Sequence, residues 1–191
     1  MKAKLVFIGV LAAVALLTSC PETKVPRHFG VKPVILKPAA WEGEWASADE
    51  PDETMRFAIR DARQGTFEVV EPAKEGKKPE PPVEVMVSHQ SGSKDSRLFF
   101  LTTFDKPGDP AGSVNLLSRD GDNLFNLWHP NHEAIAKAIK SGRLKGTVKK
   151  VKEDTRSMLE ADAENYKALA SPEYWDWTKP QAFFNRGHRK H

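Results

Sequence analysis

The chain has 191 residues, with 29 Lys or Arg against 26 Asp or Glu and a formal charge of +3. Without Lys2 and Lys4 of the N-terminal leader the balance is 27 cations to 26 anions, so the concentrated basic face that nucleic-acid binding needs is missing and that class is excluded. A single cysteine leaves no internal disulfide, and the length suits one ordinary domain.

The leader opens with Met1-Lys2-Ala3-Lys4 and continues as an apolar run over residues 5–17. That run is shorter than the ~20 residues of a membrane span and fits the apolar centre of an export signal. It ends in Leu17-Thr18-Ser19-Cys20, which resembles the lipobox of bacterial lipoproteins. The resemblance implies that residues 1–19 are removed, that the Cys20 thiol carries a diacylglycerol, and that the new amino terminus is acylated, with palmitate as a typical chain. Two or three acyl chains anchor stably where one does not, so the implied partner is a membrane. Pro21 stands where some Gram-negative bacteria place an aspartate for inner-membrane retention. The implied address is therefore the outer membrane facing the periplasm in such a bacterium, or else the outer face of the cytoplasmic membrane.

Residues 20–40 contain Pro21, Pro26, Pro33 and Pro38. Proline removes backbone donors and favours extended chain, so this stretch reads as a tether. Residues 41–178 then form a β-rich domain. Met55, Phe57 and Ile59 alternate with polar or small neighbours; Phe67 and Val69 follow, and Val83, Val85 and Val87 repeat the pattern. Such period-two alternation marks half-buried strands. Residues 71–82, EPAKEGKKPEPP, read as a solvated hairpin tip. Residues 98–104 are apolar on both faces and read as a central strand. Asp120-Gly121 joins residues 114–117 to 124–128 as a tight hairpin turn. At least seven strands result, linked in a meander.

The expected helices come late. Asn131 caps His132–Lys140, whose apolar face is Ile135, Ala138 and Ile139, and Ser141-Gly142 stops it. Residues 145–151 read as a further strand and 162–170 as a second short helix. Trp175 and Trp177 share parity, so an extended chain would turn both to one side as a partner surface. Residues 179–191 read as a solvated basic tail.

Trp41-Glu42-Gly43-Glu44-Trp45 opens the meander, and Gly43-Glu44-Trp45 resembles the first-strand signature of lipocalin-like barrels. Together with Asp120-Gly121-Asp122-Asn123-Leu124 and Trp128-His129-Pro130 leading to Ile135, it is similar to a group of small bacterial lipoproteins. The resemblance implies an antiparallel barrel or strongly curved sheet, with the tryptophan plugging its closed end and an interior able to hold a small apolar ligand. The residues expected to line it are Trp45, Phe57, Phe67, Val85, Phe100 and Leu116. The alternative is a filled core, which makes the domain a structural or protein-interaction component of the envelope.

Catalytic chemistry is weakly signalled. His129-Pro130-Asn131-His132-Glu133 is the densest set of metal-ligand types, but a metal site needs three or four convergent ligands, and a helix start explains the cluster. Ser88-His89 lacks a G-x-S-x-G elbow and reads as part of a Gly/Ser turn. Asp49, Glu50, Asp52 and Glu53 lack EF-hand spacing and read as a solvated loop. The expectation is a non-catalytic protein with no metal and no cofactor, and a metal-dependent hydrolase using His129 and His132 is the remote alternative.

Overall fold

The computed structural model describes residues 21–72, 79–91, 97–151 and 154–186. The leader, Cys20, the centre of the 71–82 hairpin tip and residues 187–191 of the basic tail lie outside them.

Alternating burial builds an up-and-down barrel. Its strands are β2 (Gly43–Ser47), β3 (Thr54–Asp61), β4 (Thr66–Val70), β5 (Val83–His89), β6 (Leu98–Phe104), β7 (Ala111–Asp120) and β8 (Leu124–Trp128), with β11 (Gln181–Asn185) closing the ring between β8 and β2. All eight pair antiparallel. Gly121 adopts φ +69° in the β7–β8 turn, as the Asp-Gly dipeptide predicts. The chain is thus mainly β, with a closed lipocalin-like barrel.

Between β8 and β11 the chain inserts α2 (His132–Lys140), β9 (Gly146–Val151), β10 (Asp154–Leu159) and α3 (Ala163–Ala168). Asn131 caps α2 by accepting from the amide of Ala134 at 3.1 Å. A further short helix, α1 (Pro38–Trp41), precedes the barrel, so among the described residues there are three short α-helices, the two expected late ones and this one.

The tether reading is overturned. Glu22–Pro26 forms strand β1, antiparallel to β7 and parallel to β10. Val25, Phe29, Val34 and Leu36 are buried. The prolines punctuate this segment. Pro26 ends the strand, Pro33 bridges to Ser88, and Pro38 starts α1, where its missing N–H costs nothing. The tail reading of residues 179–191 fails for the same physical reason over its first part: Phe183 is buried in the barrel, so the domain runs through Asn185.

Two cores result. One fills the lumen. The other lies outside the barrel wall, where β6 and β7 meet β1, β10, α2 and α3. Strands β6 and β7 are buried on both faces, which is why they read as continuous apolar runs. Asn165, 1 % exposed, holds the insertion together: its amide accepts from Lys145 N–H at 2.8 Å and donates to the carbonyls of Lys145 and Glu160 at 2.8 and 2.9 Å.

Arg27 fastens the end of β1 to the barrel. Its guanidinium forms a bidentate pair with Glu84 at 2.6 and 3.1 Å, donates to the Asp109 carbonyl at 2.7 Å, and lies 4.0 Å from the Phe104 ring centre. The Arg27 hydrogen bonds hold the Glu84 carboxyl below the usual carboxylate range. Arg27→Ala should cost about 1–3 kcal/mol at neutral pH, read as a lower urea midpoint. Because the folded pKa of Glu84 is depressed, that contribution should fade as pH falls below about 4.5.

Candidate functional site

Three places carry the residues singled out above: the lumen, the junction of β8 with β1 and α2, and the surface around Trp177.

In the lumen, Trp45, Phe57, Phe67 and Val85 point inward and are at most 3 % exposed. The Trp45 ring stacks on Phe57 at 5.5 Å and meets Phe125 at 5.0 Å. Phe57 stacks on Phe67 at 4.9 Å, Phe67 meets Trp41 at 5.8 Å, and Phe125 stacks on Phe183 at 4.8 Å. These are contact separations for aromatic rings, so the space a ligand would take between them is occupied by side chains.

Phe100 and Leu116 do not line the lumen. They face outward into the second core, where Phe100 packs on Phe29 at 4.9 Å. The inward positions are their neighbours Leu101 and Leu117. In strands apolar on both faces, period two loses its information, and the assignment slipped by one residue.

Sequence reasoning did not find the packing of Arg119 on Trp41. Trp41 belongs to α1 rather than to the first strand, and its carbonyl accepts from Trp45 Nε1 at 3.2 Å. Arg119 lies 4.4 Å from the Trp41 ring centre and donates to the carbonyls of Ala40 and Asp122 at 2.9 and 2.8 Å. An arginine one residue before the Asp120-Gly121 turn was the available signal.

At the junction, the His129 ring is joined through Nδ1 to Asn115 Oδ1 at 2.9 Å, and His132 Nδ1 is 2.9 Å from the Thr23 hydroxyl. Burial pushes both imidazoles below their ordinary pKa. For His129 this outweighs the amide of Gln181 and the carboxylate of Asp176; for His132 the neighbouring His129 adds to it against Glu22. The two rings are tied to different strands, β7 and β1. Thr23 and His132 have the shape of a nucleophile–base pair, but Thr23 is 1 % exposed. Among the described residues, no three His, Cys, Asp or Glu side chains are grouped to hold a metal. The junction is a staple between β1, β7 and α2.

That staple has a pH signature. Both histidines have folded pKa values below the ordinary 6.5, so near pH 6 the unfolded chain binds more protons than the folded one. Stability is then full above about pH 6.5 and falls as pH drops through the folded values, at up to about 1.4 kcal/mol per pH unit for each such proton. Melting temperatures from pH 7.5 to 5 should show this fall, and His129→Gln/His132→Gln should flatten it. Equal slopes would remove the histidines from the account.

Ser88 and His89 belong to β5 rather than to a turn. The Ser88 hydroxyl donates to the Phe29 carbonyl, while the His89 ring packs on Phe99 at 5.4 Å. Adjacent strand residues point to opposite faces, so the two do not form a catalytic pair. Beside Ser88, a shallow cleft of about 160 Å³ is lined by His28, Gly30, Val31 and Met86 among others, well below the ~300 Å³ at which small-molecule pockets begin.

Trp175 and Trp177 part company. Trp175 is 3 % exposed, donating from Nε1 to the Leu169 carbonyl at 2.8 Å inside the second core. Trp177 is 37 % exposed, donates to the Pro172 carbonyl at 2.8 Å and packs on Trp128 at 4.6 Å. The shared parity fails because a 3-10 turn, Pro172–Tyr174, precedes Trp175 and the chain bends after it.

Compared with models of known families, with curated proteins and with solved structures, the chain matches none.

Proposed function

We propose that the chain is a cell-envelope lipoprotein, acylated at Cys20, whose barrel is a packed structural or protein-interaction body and not the carrier of a small apolar ligand. The observation that carries the second half is the lumen: Trp41, Phe67, Phe57, Trp45, Phe125 and Phe183 meet ring against ring where a ligand would lie. The basic leader, its short apolar run and the Leu17-Thr18-Ser19-Cys20 segment support the first half. In a Gram-negative cell the reading places the protein at the outer membrane, facing the periplasm. The exposed Trp177, with Trp128 behind it, is the aromatic surface left for a protein contact once Trp175 is removed from that role.

Metabolic labelling with palmitate tests the anchor. The parent should incorporate label and enter the detergent phase on cloud-point partition. Cys20→Ser should take up no label and remain as unprocessed precursor. Equal labelling of the two would refute the acylated cysteine.

A further inference from the structure

The described chain starts one residue after Cys20, and β1 starts at Glu22. A chain advances at most ~3.6 Å per residue, so the backbone of Cys20 lies within about 7 Å of Glu22. Acyl chains on Cys20 would therefore enter a bilayer beside this end of β1. No 20-residue spacer intervenes.

The neighbours at that end follow from register. Glu22 stands opposite Arg156 on β10, and beyond it β9 places Lys149 opposite Arg156, Lys150 opposite Thr155 and Val151 opposite Asp154. One face of this three-stranded extension packs on α2.

 Val25 and Leu159 lie on that face, buried in the second core together with Ile135 of α2. By alternation the opposite face carries Lys24, Arg156, Met158 and Lys149, and the last three of these are exposed. Val151 and Met158, at 38 % and 37 % exposure, are two of the large apolar side chains left in solvent.

The charge here is positive. Between Glu133 and Glu153 every charged residue is a cation. Glu22 is bracketed by Lys24 at 3.4 Å and Arg156 at 3.9 Å, and the other acid at this end among the described residues is Asp154, opposite Val151.

We propose that this end of the extension docks on anionic phospholipid headgroups beside the protein's own lipid anchor. Lys149 and Arg156, neighbours on the outer face, meet the phosphates, and Val151 and Met158 on the same face touch the interfacial layer. The inference rests on acylation of Cys20. Position and charge select the occupant: the anchor brings this end to the bilayer, and anionic headgroups complement these cations. Strand β9 is also the open edge of the sheet, but adjacent lysines disfavour edge-to-edge pairing with a second copy.

The test uses the full mature protein, purified from membranes and returned to vesicles of phosphatidylcholine alone or mixed with phosphatidylglycerol. Lysines are acetylated with a water-soluble reagent and read by mass spectrometry. Lys149 should be protected about five-fold or more in the phosphatidylglycerol vesicles relative to detergent micelles. Lys140, at the end of α2, should label equally in both. Arg156→Glu, a change at an exposed position, should return Lys149 toward the micelle value. Equal labelling in every setting overturns the docking, and so does protection that follows protein concentration instead of phosphatidylglycerol, which would mean pairing between copies. The mass of the N-terminal peptide separates the two readings. Acyl chains present with an open Lys149 defeat the docking alone; acyl chains absent defeat the anchor and the docking with it.

Discussion

Phe57→Ala should lose about 3–5 kcal/mol of stability and gain a binding site for benzene or xenon that the parent lacks. Phe57 is 3 % exposed and sits at the centre of the lumen, in ring contact with Trp45, Phe67 and Phe125. Barrel strands hydrogen-bonded on both sides cannot collapse freely into the space left behind, so most of the ring volume should persist as a cavity. Chemical denaturation gives the stability change, and a benzene-dependent rise in melting temperature, seen in the variant and not in the parent, reports the new site. A parent that already responds to benzene would mean that its lumen holds free space.

The second large effect is expected at Phe29, in the stretch that reads as a tether from composition. Phe29 is 1 % exposed, packs on Phe100 at 4.9 Å and meets Tyr166 edge-on at 4.9 Å. Its carbonyl accepts from the Ser88 hydroxyl. Phe29→Ala should therefore cost about 3–5 kcal/mol as well, by freeing β1 and α3 from the barrel wall. Substitution in a solvated tether would cost nothing, so an unchanged urea midpoint would return residues 21–36 to that role. For the proposed anchor the consequence is direct: a segment held in the sheet cannot pay out chain to lift the domain away from a membrane.

How much of this was legible depended on one-sided burial. Strands β3 and β4 alternate because one face meets the lumen and the other is partly open to water, and Phe57 and Phe67 lie inward as the period predicts; in β5 Val85 and Val87 lie inward too, although Met86 and Ser88 on the other face are also buried. The ends of α2 were legible too, because Asn131 and Gly142 supply local chemistry at each terminus. In β6 and β7 the second core covers the outer face, so Phe100 and Leu116 carry no parity signal to separate them from Leu101 and Leu117. Strand β10 went unread because only Ser157 and Leu159 are buried in it, and serine does not announce a core. Strands β1 and β11 were hidden by composition: prolines flank the first and cations follow the second, while their contacts are with strands far away in sequence. Val25, Phe29 and Phe183 were the residues that could have exposed both errors, since a solvated tether or tail has no use for them.

The histidine junction shows the same limit at the candidate site. The sequence places His129 and His132 three residues apart at a helix start, but their partners, Asn115 and Thr23, come from strands that the local pattern cannot bring there. Only the fold shows the cluster to be a fastening between strands and helix.

The central claim, a lipid-anchored barrel with a filled lumen, is tested most directly by native mass spectrometry of the protein purified from its own membranes. A filled barrel gives the mass of the chain from Cys20 plus its acyl groups, with no further component lost on denaturation. A stoichiometric small apolar molecule, bound in the native spectrum and released on unfolding, would contradict it.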